Sequence, residues 1–247
     1  MLKWKSAAGQ APIWQEMTGG KDPELVVEQT VGLDPDFDIY WIQPRKFILN
    51  PIELEKISLD ETPIGDRSYK NALRLARNGL WSPAFPLIEP LRKNLIDKSK
   101  WSKKAQAQFD LIKFHANITE AQAIASWASP SQKVLAGLID GRWQESLNVF
   151  ENNWSSTYDI AKLLQNDTGR IRKRVDATIK VNRGEINDIA WGTLIIASQK
   201  GRRRAMLWLN RKPKTSKEAK ERIEKLLDKL DAAFAEEENI QRHKIQR

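Results

Sequence analysis

The sequence predicts an all-α protein, an α-solenoid of stacked helical hairpins from about residue 67, preceded by an extended N-terminal arm. Gly79, Gly141 and Gly201 recur at intervals of 62 and 60 residues, each between two stretches with helical periodicity. Proline and glycine are much denser before residue 66 than after it. Hairpins that recur on this scale typically bury their apolar faces against one another and bind other molecules rather than transform them.

Composition limits the classes of function. The chain has 247 residues and no cysteine, which excludes disulfides, zinc–thiolate sites and cysteine nucleophiles. No apolar run approaches the roughly 20 residues that span a bilayer. The lysines near the N-terminus are not followed by the apolar stretch of a signal peptide. We therefore expect a cytoplasmic protein, with peripheral attachment to a membrane as an alternative.

Charge is divided unevenly along the chain. Residues 1–66 hold 6 Lys or Arg and 12 Asp or Glu, whereas residues 67–247 hold 35 and 20. We predict an acidic extended arm over 1–66, a helical-repeat domain over 67–212 and a charged capping helix over 213–247. The arm can fold back on the basic part, the basic part can face an anionic partner, or the two surfaces can be solvated independently, and the sequence leaves all three open.

Prolines and glycines break any long helix in the arm. Phe37, Ile39 and Trp41 alternate with Asp38 and Tyr40, and an apolar run follows at 47–49. This pattern predicts one or two short strands. Whether the arm docks on its own chain or on a partner is left open.

About ten helices follow, each with a start signal or an apolar face. Asp66 is placed to cap the first, which runs to Asn78. Thr119 is predicted to open a short helix, and Ser129 to cap the next. The last helix carries one apolar face, made of Ile223, Leu226, Leu227, Leu230 and Phe234.

The turn motif resembles the second half of a tetratricopeptide repeat. The matching positions are the turn glycine, an aromatic residue, a small residue and a large one, namely Gly141, Trp143, Ser146 and Phe150, and again Gly79, Trp81, Ala84 and Ile88. Gly201 keeps the turn, but Arg203 replaces the aromatic residue. The chain matches the first half of the family pattern poorly, and its copies of the motif recur about every 60 residues rather than every 34. The hairpins are rich in Trp and Gln, and in this they are also similar to uncharacterised helical-repeat proteins of cyanobacteria. The resemblance implies an α-solenoid with a protein-binding face.

Motifs for catalysis are missing. The chain has no Gly-rich phosphate loop, dinucleotide fingerprint, His-Glu-x-x-His or Gly-x-Ser-x-Gly. His115 is predicted to lie at the end of a helix in a structural role, and His243 lies in a charged tail. We therefore expect no enzyme, metal, cofactor or small-molecule substrate.

Two basic clusters are the strongest candidate binding residues. They comprise Arg170, Arg172, Lys173, Arg174, Lys180 and Arg183, and then Lys200, Arg202, Arg203, Arg204, Arg211, Lys212 and Lys214. Stacked hairpins would place both near one edge, where they can bind an acidic protein face, phosphate backbones or an anionic membrane. Neither cluster contains the interleaved aromatics of a single-strand stacking platform, and Trp208 is assigned to the core.

Two tryptophans lie in loop-like contexts, Trp101 and Trp154, and are candidate exposed anchors for a partner. Trp81 and Trp143 occupy turn positions and are predicted to pack between hairpins. Together these features predict a non-catalytic scaffold or adaptor that binds a protein partner. Nucleic-acid binding through the basic clusters is the alternative, and a membrane-surface assembly factor is the third.

Overall fold

The computed structural model describes residues 9–17, 22–44, 52–94, 101–182, 185–212 and 215–245. Two compact units divide the chain, Met1–Ile124 and Ala125–Arg247. The first three helices belong to the same unit as residues 1–66, and the domain bounds 1–66, 67–212 and 213–247 stay predictions. The apolar run at 47–49, Arg183 and Lys214 lie outside the described residues.

A four-stranded antiparallel sheet forms the N-terminal part of the first unit, so the prediction of an all-α protein is wrong. The strands pair in chain order and comprise β1 (Ile13–Gln15), β2 (Glu24–Glu28), β3 (Phe37–Pro44) and β4 (Ile52–Lys56). The alternation at 37–41 is indeed a strand, with Ile39 facing Val26 in the register of β2 and β3. Both side chains are buried, which fixes which face of the sheet turns inward.

Three helices complete the described part of the first unit, α1 (Arg67–Ala76), α2 (Trp81–Asn94) and α3 (Lys103–Ile124). Asp66 caps α1 as predicted, since its carboxylate accepts the backbone N–H groups of Ser68 and Tyr69. No helix begins at Thr119, because its hydroxyl donates back to the Ala116 carbonyl and α3 continues through it. A polar side chain in the middle of a helix can satisfy its hydrogen bond in this way without ending the helix.

The acidic arm packs on its own chain. The buried amide of Gln108 on α3 donates to the carbonyls of Ser58 (2.7 Å) and Glu61 (2.9 Å), just after β4. The Tyr69 hydroxyl donates to the Gln108 Oε1 atom at 2.6 Å. One side chain therefore fixes the segment after the sheet against two helices.

Seven helices form the described part of the second unit. They are α4 (Pro130–Asp140), α5 (Trp143–Asn152), α6 (Thr157–Gln165), α7 (Arg170–Asn182), α8 (Ile186–Lys200), α9 (Arg202–Asn210) and α10 (Lys217–Ile245). Ser129 caps α4 as predicted. The described residues are 66% helical.

The three recurring glycines each join two helices, as predicted. Gly79 lies between α1 and α2, Gly141 between α4 and α5, and Gly201 between α8 and α9, all with φ between 75° and 82°. The turn tryptophans Trp81 and Trp143 are buried. These contacts support local hairpins, whereas membership of the tetratricopeptide family stays a prediction.

The last helix, α10, packs within the second unit. Its apolar side chains Ile223, Leu227 and Leu230 are buried. Arg222 forms a forked pair with the Glu151 carboxylate, at 2.9 and 3.0 Å. Bidentate pairs of this kind fix orientation as well as contact, so α10 has a defined position on α5.

Candidate functional site

Helices α7, α8 and α9 bring the two basic segments to one cavity in the second unit. The cavity has a volume of about 310 Å³ and is lined by Arg172, Ile196, Gln199, Lys200, Arg204 and Trp208. Residues 170–212 hold 12 Lys or Arg and only three Asp or Glu, an excess of nine that equals the net charge of the whole chain. The segment that supplies the cavity residues is therefore strongly basic, and Arg172, Lys200 and Arg204 are the cations that line the cavity.

Local capping positions Arg172 at the cavity. The Asp167 carboxylate accepts the backbone N–H groups of Ile171 (3.1 Å) and Arg172 (3.2 Å) at the start of α7. The Gln199 amide on α8 donates to the carbonyls of Leu164 and Asp167. These bonds connect the loop before α7 to α8, so Arg172 and Lys200 approach the cavity from fixed backbones.

Trp208 forms one wall of the cavity and is half-buried, so its assignment to the core is wrong. Its ring lies 4.8 Å from the Arg172 guanidinium carbon and 4.1 Å from Lys212 Nζ, measured to the ring centroid. Cations over an indole ring contribute about 0.5–2 kcal/mol each. The signal in the sequence was the four-residue spacing of Arg204 and Trp208 on α9, with Lys212 four residues further on, just past the end of the helix.

Gly192 on α8 lets the Trp208 ring approach closely. A Cβ atom on Gly192 would lie 2.6 Å from the Cη2 atom of Trp208, well inside contact distance. The Gly192 carbonyl also accepts a 3.1 Å hydrogen bond from Arg172 Nη1, and Arg172 Nε donates to Asp176. The guanidinium and the indole are thus held in place before any ligand binds.

The predicted edge residues fall into different environments. Arg170, Lys173, Arg203 and Arg204 are exposed, Arg172 is half-buried and Arg174 is buried. Arg174 therefore does not belong to the exposed edge, since α7 turns it inward.

Arg202 forms ion pairs with carboxylates of its own chain. Its Nη1 atom donates to Asp228 at 2.7 Å and to Asp231 at 2.8 Å, and these hydrogen bonds raise the pKa of the guanidinium. The two carboxylates lie three residues apart on α10, which places them on one face of that helix. The exposed basic residues of α9 are consequently Arg203 and Arg204.

Apolar groups lie among these cations. Leu207 is 55% exposed, one helical turn after Arg203. We name the set Arg203, Arg204, Leu207, Trp208 and Arg211 the α9 face. It combines positive charge with accessible apolar surface.

The two candidate aromatic anchors differ. Trp101 is half-buried in the first unit, where its ring meets the edges of Tyr69 and Phe109 and its indole N–H donates to Gln106. It packs within its own unit and is not an exposed anchor. Trp154 is 51% exposed, and Lys229 Nζ lies 5.7 Å from its ring centroid.

His115 has a structural environment, although it lies within α3 rather than at a helix end. Its Nδ1–H donates to the Leu111 carbonyl, its Nε2 accepts the Phe37 N–H at 3.3 Å, and its ring stacks on Trp81 at 4.0 Å. Burial lowers its pKa to about 4. In the described ranges, no three His, Asp or Glu side chains are grouped so that they could hold a metal ion.

The chain has no match among protein-family models, curated proteins or solved structures. None of the helices in the described ranges combines the length and the apolar character that crossing a bilayer requires. The cavity and the α9 face are therefore the structural features that indicate a function.

Proposed function

We propose that this protein is a non-catalytic adaptor whose second unit binds an acidic, amphipathic segment of a protein partner. The observation that carries the proposal is the α9 face, where exposed Leu207 and half-buried Trp208 lie among Arg203, Arg204 and Arg211. Carboxylates of the partner would pair with the arginines, and its apolar side chains would cover Leu207 and fill the cavity beside Trp208. Aromatic and arginine side chains are the residues most enriched at binding hot spots.

The chain supplies an internal example of this recognition. Arg202 binds Asp228 and Asp231, two carboxylates one turn apart on the helix α10. An acidic helix is thus already docked beside the α9 face through an arginine of α9. A partner helix with acidic residues at the same spacing would use Arg203 and Arg204 in the same way.

Apolar contact favours a protein partner over nucleic acid. Phosphate backbones are neutralised by cations alone, and the affinity that results is sequence-independent and falls steeply with salt. Exposed Leu207 and the cavity residue Ile196 contribute nothing to such contacts. Burial of apolar surface by a partner gains about 25 cal/mol per Å², and this gain persists at high salt.

Nucleic-acid binding is the second candidate, and Trp208 is the observation that favours it. The sequence assigned Trp208 to the core, but its indole borders the cavity beside Arg172, Lys200 and Arg204 and so supplies an accessible aromatic among these cations. A base stacked on an aromatic ring gains about 1–3 kcal/mol.

Affinity capture from native lysate, with and without nuclease and with mass-spectrometric readout, tests the proposal. The double variant Arg203→Gln/Arg204→Gln and the variant Leu207→Ser are compared with wild type. A matched control, Lys133→Gln/Lys225→Gln, removes the same charge from exposed positions on α4 and α10.

The adaptor proposal predicts a defined protein that survives nuclease, is lost from both α9-face variants and is retained by the control. Capture that disappears with nuclease and is unaffected by Leu207→Ser would instead establish nucleic-acid binding. Equal capture by all the variants would rule out the α9 face as the site.

A further inference from the structure

A second cavity is lined only by residues of the first unit, none of which belongs to the α9 face. Its volume is about 560 Å³, inside the range of small-molecule sites. Glu16 borders it beside β1, Arg92 comes from α2, and α3 supplies Gln106, Asp110, Lys113 and Phe114. Side chains of both charge signs therefore face one small volume.

The polar residues of α3 share one helical face. Gln106, Asp110, Lys113 and Asn117 follow at intervals of four, three and four residues, and all four line the cavity. The buried residues of α3, such as Phe109, Ile112 and Ala116, lie beside this face and outside it. The spacing of these polar residues is the feature of the sequence that could have indicated this face.

A chain of hydrogen bonds orients the Asp110 carboxylate. The Trp101 indole N–H donates to Gln106 Oε1 at 2.9 Å, which leaves the Gln106 amide nitrogen to donate to Asp110 Oδ2 at 2.6 Å. Asp110 Oδ1 has no hydrogen-bond partner within the described residues. Partial burial raises the pKa of Asp110 to about 6, so the carboxylate is charged but poorly solvated at neutral pH.

Two cations lie close to this carboxylate. Arg92 and Lys113 both act on Asp110 electrostatically. The Arg92 guanidinium carbon lies 4.6 Å from the Phe109 ring centroid, which steadies its direction. A purely cationic ligand would meet Arg92 and Lys113, and a purely anionic ligand would meet Asp110 and the nearby Glu24.

We propose that this cavity binds a small zwitterion, a free amino acid or a dipeptide. Its ammonium group donates to Asp110 Oδ1, its carboxylate pairs with Arg92 and Lys113, and its side chain lies against Phe114. Charge-assisted hydrogen bonds at both ends of the ligand give such a site its orientation and its selectivity. This inference is independent of the proposed adaptor function, because it concerns other residues in the other unit.

Thermal-shift and saturation-transfer NMR measurements on the full chain test the proposal. The probes are the standard L-amino acids and the dipeptide Ala-Ala at millimolar concentration. Succinate, which carries only negative charge, and putrescine, which carries only positive charge, are the comparison probes. We expect at least one zwitterion to bind, and both succinate and putrescine to bind at least about tenfold more weakly. Asp110→Asn should raise the Kd for the zwitterion about tenfold.

Lys113→Gln should raise the Kd several-fold, whereas Lys103→Gln, an exposed control on the same helix, should leave it unchanged. Asp110→Asn should also improve succinate binding relative to wild type, a gain that misfolding cannot produce. Two results would overturn the proposal: no zwitterion binds the wild-type chain, or Asp110→Asn binds it as tightly as wild type.

Discussion

The indole N–H of Trp191 donates a 2.9 Å hydrogen bond to the backbone carbonyl of Trp143. Trp191 is fully buried on α8, and Trp143 is the first residue of α5, immediately after the turn at Gly141. The bond therefore joins the second recurring hairpin to the helix that leads into the third. It places α8, which carries Gly192 and Lys200, on the packed core of the second unit.

Replacing Trp191 by Phe should destabilise the second unit. The change leaves a cavity beside Phe150 and removes the indole hydrogen bond to the Trp143 carbonyl, and it should lower the free energy of unfolding by about 2–3 kcal/mol. Urea denaturation followed by circular dichroism measures it. Trp154→Phe is the control, because Trp154 is exposed and its change should stay within about 0.5 kcal/mol. Equal effects of the two variants would show that the bond contributes nothing.

The turn glycines should differ in their tolerance of asparagine. Gly141 has φ 82° and ψ 21°, a left-handed conformation that Asn adopts at small cost, whereas Gly201 has φ 82° and ψ 156°, a region that is almost entirely restricted to glycine. Gly201→Asn should therefore lower the free energy of unfolding by about 2 kcal/mol more than Gly141→Asn. Paired urea melts of the two variants decide this, and an equal loss would contradict the assigned backbone.

Gly192→Ala should weaken partner binding without changing any charge. The new methyl group would strike the Trp208 ring and displace it from the cavity wall. We expect about a tenfold loss of affinity for the captured partner, measured by calorimetry. Circular dichroism must show that the helices remain. Ala205→Gly, a change of a small residue on α9 that adds no atoms near the ring, is the control and should keep the affinity. Unchanged affinity in Gly192→Ala would exclude Trp208 from the site.

His115 should make the first unit sensitive to acid. The folded state keeps the imidazole neutral down to its pKa of about 4, whereas the unfolded chain takes up a proton near pH 6.5. The contribution of His115 to stability is therefore fully present above about pH 6.5 and is lost as the pH drops towards 4, by up to about 3 kcal/mol. Asp110, whose pKa is raised, acts in the opposite direction, so the measured quantity is the difference between wild type and His115→Gln. Parallel pH profiles for the two proteins would refute this role.

Asp188 should have the opposite effect in the second unit. Its buried Oδ2 has no hydrogen-bond partner, and burial raises its pKa to about 7, with Glu185 adding to the shift. The folded state holds the proton after the unfolded chain has lost it, so stability falls as the pH rises from about 4 to 7. Asp188→Asn should thus stabilise the protein at about pH 8 by about 1–3 kcal/mol and make no gain at about pH 4. Urea midpoints at both pH values, with exposed Asp159→Asn as the control, provide the check.

Local features of the chain were predicted well. The turns at Gly79, Gly141 and Gly201 and the caps at Asp66 and Ser129 lie where the sequence placed them. Each depends on a few neighbouring residues, because a cap or a left-handed turn is decided by side chains within one helical turn. The predicted helix start at Thr119 failed for the converse reason, since a hydroxyl can bond inside a helix as readily as at its end.

Features that join distant residues were not predicted. The strand pairing of Ile39 with Val26 depends on register and burial, and the sequence showed the alternation without the partner. Arg172 and Trp208 lie 36 positions apart, and only the packing of α7, α8 and α9 makes them one site. Packing likewise turned Arg174 inward and paired Arg202 with α10.

The sequence by itself determined the helical hairpins, the concentration of positive charge in 170–212 and the lack of catalytic motifs. The tertiary structure alone decided which of those charges remain accessible, that Trp208 and Leu207 lie among them, and that the polar stripe of α3 lines a cavity. The physical reason is the range of the interactions: helical periodicity and turns act over a few residues, whereas burial and charge pairing depend on chain segments that meet only after folding.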